Sequence, residues 1–285
     1  MPKKLTPYLL VSPLVVILTA FLLLPIVVVL IVSFCAFDEF SIIFSFTLDN
    51  YRALLASPAT WGLFKNTLYY AGMTWMFTLL IGFTVSYYLV FHVRSILWQI
   101  GLFLLCTVPF WTSNIIRMIS WIPLLGKEGL VNSALIDLGL IDTPIDGLLF
   151  SDFSVILAYV HLYTLFMIVP IFNTMARIDP ALVEAAVDGG AKPWQVIWRV
   201  VLPLSKTGIA LGSIFVVAVV MGDFFVVRTM SGGQSGSVVS GMMNQVSLLQ
   251  YPVAAAGAMM LLAVVTLMIA AVFAVVDVRR EMAVR

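Results

Sequence analysis

The stretch Asp179-Pro-Ala-Leu-Val-Glu-Ala-Ala-Val-Asp-Gly-Gly-Ala-Lys-Pro-Trp-Gln-Val-Ile-Trp-Arg-Val-Val-Leu-Pro203 is the longest polar interruption in the second half of this chain. It reads as two short helices around a glycine turn. Asp179 is a helix cap and Pro180 suits a first helical position, where a missing N–H costs nothing. Gly189 and Gly190 end the first helix and supply the positive φ that a reversal needs. Pro193 restarts a helix on which the spacing predicts one apolar face made of Trp194, Ile197, Trp198 and Val201.

Around that stretch the chain is apolar. Of its 285 residues 62% are hydrophobic and 10% charged, and mean hydropathy is +1.11. No soluble domain keeps such a surface in water, so the bilayer is the solvent. A net charge of +1 excludes nucleic acid as a partner. Cys35 and Cys106 sit in apolar runs and read as small packing residues. Neither they nor His92 and His161 show metal-ligand spacing, so no metal is expected.

Hydropathy predicts an all-α polytopic membrane protein with six transmembrane helices in one domain, 1–285. The spans are expected at about 8–36, 66–91, 96–122, 154–176, 207–227 and 253–276. The first is too long for the roughly 7–15-residue core of a secretory signal and is read as retained, with Pro13 and Pro25 as kinks. External loops are expected at 37–64, 123–152 and 228–252, the last with a short helix near 238–248. With both termini cytoplasmic, Lys3, Lys4, Arg94, Arg177, Lys192, Arg199, Lys206, Arg279, Arg280 and Arg285 lie inside, ten of the fifteen basic residues. Arg52, Lys65, Arg117, Lys127 and Arg228 lie outside. That bias puts the loop at about 177–206 in the cytoplasm. Nine acids, including Glu39, Asp142, Asp152 and Asp223, fall on the outer side.

The spacing in that loop resembles the EAA loop of ABC importer permeases. Glu184-Ala185-Ala186 is followed by three residues, Gly190, nine residues and Val200-Val201-Leu202-Pro203, and Asp188 and Ala191 also match. Val200 stands for a more usual Ile, Gly189 for Leu and Thr207 for Pro. Pro109-Phe-Trp-Thr-Ser113, Arg117, Trp121, Leu125–Asn132, Gly222–Phe225 and Tyr251-Pro252 further resemble polyamine-type (spermidine/putrescine) permeases.

The resemblance implies a type I ABC importer permease fold in a bacterial inner membrane. It implies three partners: a cytoplasmic ATPase dimer that carries ATP and Mg, a second and different permease chain, and a periplasmic solute-binding protein. No cofactor would bind this chain, and the chain would not itself be an enzyme. Glu184, Ala185, Ala186, Asp188, Gly190, Leu202 and Pro203 would form the knob that docks on the ATPase.

Asp223 is the one acid well inside an expected span, so it is either a helix cap or subunit contact, or a contact for a cationic substrate. Phe224, Trp111, Trp121 and Tyr159 would supply aromatic faces along the pathway. The same machinery could instead carry an opine, an amino-acid derivative, a phosphonate or ferric iron. A membrane-embedded enzyme is the reading from another class, and it lacks a convergent nucleophile and base. Ser231-Gly-Gly-Gln234 resembles an ATPase signature, but without a phosphate-binding loop it reads as a flexible external turn.

Overall fold

The computed structural model describes residues 6–38 and 41–275. The basic residues Lys3, Lys4, Arg279, Arg280 and Arg285, the acid Glu39 and the end of the sixth expected span, Val276, lie outside the described residues. Among the described residues five helices are long and apolar enough to cross a membrane, and a helix pair bent by 90° gives a sixth when it is counted as one span. The chain divides into two compact units, Met1–Leu63 with Val238–Val264 and Phe64–Ser237 with Val265–Arg285.

In the first unit, helices α1 (Thr6–Leu18) and α2 (Leu24–Ser33) are joined by a π-turn, Thr19–Leu23. Pro25 lacks the N–H that would close a regular turn, and the wider turn directly before it absorbs the fault. The helix ends at Ser33 rather than at the expected residue 36. Polar groups take over there: the buried Asn50 amide donates to the Ser33 carbonyl at 3.0 Å and the Cys35 carbonyl at 2.8 Å. An antiparallel hairpin follows, β1 (Cys35–Asp38) and β2 (Ser41–Phe46), with Ala36 opposite Ile43 and Phe37 opposite Ile42. The expected loop therefore contains strands, then α3 (Asp49–Ala56). The second span, α4 (Pro58–Phe91), starts well before residue 66, and from Phe64 on it belongs to the second unit.

In the second unit the third span is not continuous. α5 (Ile96–Thr107) runs into a 3-10 turn, Val108–Trp111, and then the chain turns by 90° before α6 (Asn114–Ile119), α7 (Trp121–Leu125) and α8 (Leu130–Asp137). Pro109 removes one backbone donor. Thr112, extended at φ −94°, ψ 153°, turns its hydroxyl back to the Pro109 carbonyl at 2.8 Å. The expected loop beyond it is ordered by Asn132, whose buried amide brackets Ile145 and the Gly126 carbonyl.

The core of this unit is α9 (Asp152–Met175) against α12 (Leu202–Gly222). In lipid, helices are held by close approach of small residues rather than by the hydrophobic effect. Gly212 illustrates this: a Cβ there would lie 2.7 Å from Met167 Sδ and 3.2 Å from Met167 Cα. Gly208 similarly faces the Pro170 carbonyl and Thr174. α10 (Pro180–Asp188) and α11 (Pro193–Val196) lie between them, and a π-turn, Ile197–Val201, carries α11 straight into α12. The fifth span therefore begins without the break expected before residue 207. It ends at Gly222, not 227, and is followed by α13 (Phe225–Met230); further along the chain, α14 (Val238–Ser247) and the first part of α15 (Tyr251–Val275) belong to the first unit.

Candidate functional site

The EAA-like segment forms an exposed knob. The Asp179 carboxylate accepts from the Ala181 N–H at 2.9 Å and caps α10. Gly190 has φ +80°, and the N–H groups of Gly190 and Ala191 close on the carbonyls of Val187 (2.9 Å) and Ala186 (3.0 Å). This is a Schellman ending, which an L side chain at Gly190 would strain. The Gln195 side chain then accepts from the Lys192 N–H at 2.8 Å and opens α11. Glu184, Ala185 and Asp188 are exposed, Ala186 and Leu202 are half-buried, and Pro203 is exposed on the first turn of α12.

The expected apolar face of α11 is corrected by the structure. Val196 and Val201, five residues apart, are buried, while Trp194 and Trp198 are 57% and 64% exposed. A π-turn closes its hydrogen bond from i to i+5 rather than i to i+4, and the wider turn at Ile197–Val201 brings Val196 and Val201 onto one buried face and leaves Trp198 outside it. The knob thus exposes Leu182, Val187, Trp194 and Trp198 together with Glu184.

Asp223 stands not inside a helix but at the break between α12 and α13. Its Oδ1 accepts from the Val226 N–H at 2.8 Å, which makes it the side-chain cap of α13. Tyr163 donates to Oδ2 at 3.2 Å and Tyr159 to Oδ1 at 3.4 Å. The two rings stack at 5.7 Å, and Phe166 and Phe215 continue the aromatic run. Asp223 and Phe224 remain half-buried, whereas Tyr159 is 1% exposed. The arrangement is a carboxylate held by three donors beside aromatic faces, which suits an ammonium group.

Of the expected pathway residues, the structure brings Asp223 and Tyr159 together and adds Tyr163, which sequence reading missed. The four-residue spacing of Tyr159 and Tyr163 on one helix was the available signal. Trp111 and Trp121 do not join them. Trp111 is 78% exposed on the bend of the third span, and the Trp121 indole N–H donates instead to His161 Nδ1 at 3.0 Å. A larger cavity, about 600 Å³, lies elsewhere, bounded by Leu68, Trp75, Ile209 and Met268, and is apolar apart from Lys206 and Ser213.

The Ser231–Gln234 turn is not a loose loop. Ser231 is buried and donates to the Ser235 carbonyl at 3.1 Å, and Ser235 donates to Asp152 at 3.1 Å. Tyr70 holds the same carboxylate at 2.5 Å, and Asn66 reaches the Gly236 carbonyl at 3.2 Å.

No protein-family model matches the chain. Curated relatives do. The chain is 34% identical over 219 residues to the spermidine/putrescine transport system permease protein PotB of Haemophilus influenzae, covering 75% of this chain and 74% of that one. It is likewise 34% identical over 222 residues to PotB of Escherichia coli, covering 76% and 78%. Among solved structures, a chain of a bacterial alginate ABC transporter, crystallised with an alginate pentasaccharide-bound periplasmic protein, superposes with a TM-score of 0.75. That match is 17% identical and covers 95% of this chain and 93% of the other, so it speaks to the fold alone.

Proposed function

The chain belongs to the ABC importer permease family that includes the PotB proteins, and from that membership we propose that it forms the translocation pathway for a small organic cation of the polyamine class. It is a multi-pass membrane transport subunit. The observation that carries the proposal is the match to PotB over three quarters of the chain. The half-buried carboxylate of Asp223 between two tyrosine hydroxyls supports the cation.

In this reading the chain acts as one permease domain with a cytoplasmic amino terminus, carboxyl terminus and knob. Glu184, Ala185, Ala186, Asp188, Gly190, Leu202 and Pro203 form the part that meets an ATPase dimer, which holds ATP and Mg. Exposed Trp194 and Trp198 favour a protein partner over water at that surface. A second, homologous permease chain completes the pathway, and a periplasmic binding protein delivers the solute. Asp223, Tyr159 and Phe224 line the outer part of the pathway, and Trp111 and Trp121 serve it only if the third span moves.

The experiment is reconstitution of this chain with those partners in proteoliposomes. ATP-dependent uptake of spermidine or putrescine is expected. Uptake of an opine, an amino-acid derivative, a phosphonate or ferric iron in their place would overturn the substrate. Failure of any ATPase to copurify would overturn the coupling role.

A further inference from the structure

A cavity of about 330 Å³ lies where the bent third span passes α9, lined by Phe110, Arg117, Trp121, His161, Thr164 and Leu165 among others. Arg117 is only 7% exposed. Its terminal nitrogen donates to Asn114, its Nε is buried without a partner, and among the described residues no carboxylate pairs with it. An ionised side chain at membrane depth is retained only where something compensates it.

The other polar groups of the cavity have the same bias. Because Trp121 donates to His161 Nδ1, the neutral imidazole carries its proton on Nε2 and is a donor there. The Thr164 hydroxyl is spent on the Val160 carbonyl at 2.5 Å. The cavity therefore holds a cation and a second donor, on otherwise apolar walls.

The cavity lies at the depth of Asp223, since His161 falls between Tyr159 and Tyr163, but on another face of α9. At about 100° per residue, six of the seven α9 positions that line the cavity (157, 160, 161, 164, 165 and 168) point on average about 150° away from Tyr159 and Tyr163, and only Leu162 lies between the two faces.

We propose that this cavity binds an oxyanion on a short apolar body, a carboxylate or a phosphate ester, with Arg117 as its charge partner and His161 Nε2–H as a second donor. The volume is roughly ten times the share of one liquid water, enough for an oxyanion with several carbon atoms. Such a group comes either from a soluble organic acid or from a lipid headgroup. Depth favours the acid. His161 lies nine residues into α9 from Asp152, about 13 Å at 1.5 Å per residue, close to the middle of a roughly 30 Å hydrocarbon core.

The test uses the full chain in phosphatidylcholine nanodiscs, titrated with sodium butyrate and read by tryptophan fluorescence. Saturable binding is expected, with n-butylamine and butyramide inert. Arg117→Gln should weaken it at least tenfold. Leu165→Trp, which fills the cavity and leaves the charge, should abolish it and keeps the proposal testable if Arg117→Gln folds poorly. Phosphatidylglycerol nanodiscs form the second arm: competition there with butyrate would make a lipid headgroup the source of the same oxyanion. No saturable signal in either arm, or equal binding by Arg117→Gln, would overturn the proposal. So would butyrate binding that disappears on assembly with the second permease chain, because a partner carboxylate would then be the occupant.

Discussion

Replacing Asp223 by Asn separates its two roles. The Asn side chain still offers Oδ1 to the Val226 N–H, now held at 2.8 Å, so the α13 cap survives and folding loses well under the ~1 kcal/mol typical of a deleted cap. The charge is lost, and so is the second acceptor used by Tyr163 at 3.2 Å. A charge-assisted hydrogen bond to a passing ammonium is worth about 1.5–3 kcal/mol, and the half-exposed position screens it toward the lower end. About 1.4 kcal/mol corresponds to tenfold. Initial uptake rates of a monoamine, a diamine and a triamine are measured in proteoliposomes holding the complete importer, with ATPase activity in parallel. Uptake should fall about tenfold for the triamine, less for the monoamine, with ATP hydrolysis retained. Asp223→Ala, which also removes the cap, should lower the amount of folded protein as well. A loss equal for all amines, or none, would refute the substrate contact and leave Asp223 as the cap of α13 alone.

Gly190→Val forces a β-branched residue to φ +80°, at a cost of at least about 1–2 kcal/mol, and Glu184→Lys reverses the exposed charge of the knob. Both variants should insert and assemble while uptake and ATP hydrolysis become uncoupled, and normal uptake by both would remove the docking role. Gly208→Ala would place Cβ 2.9 Å from the Pro170 carbonyl carbon, backbone that cannot step aside, so thermal stability should drop by the equivalent of about 3 kcal/mol. Gly101→Ala, with nothing within 4 Å, should gain up to about 1 kcal/mol, and the reverse order would show that α9 and α12 do not pack at Gly208. In a background lacking Cys35 and Cys106, cysteines at Asp142 and Gln234 should react with an impermeant thiol reagent from outside. One at Lys192 should not, and the opposite pattern would reject the orientation.

Much of this protein was legible before any tertiary contact was known, and for one reason: those features are local. The fourth span and the last helix follow from hydropathy, because a backbone in lipid must satisfy its hydrogen bonds within a helix. The knob follows from Asp179, Pro180, Gly190 and Pro193, whose φ angles and hydrogen bonds close within a few residues. What was not legible depended on partners far along the chain. The fifth span stops at Gly222 because Asp223 caps α13 and is gripped by tyrosines 60 and 64 residues earlier. Hydropathy counts Phe225, Val226 and Val227 as more span, since a window of residues cannot see a hydrogen bond. The π-turn at Ile197–Val201, which leaves Trp198 outside the buried face, likewise leaves no trace in a pattern read at 3.6 residues per turn. Trp121 was expected along the same pathway as Asp223, yet it bonds His161, 40 residues away, on another side of α9. Sequence alone determined which segments enter the membrane and where the knob turns. Tertiary structure alone decided which polar side chains meet there, because in hydrocarbon each must find a partner, and that partner is a neighbour in space rather than in sequence.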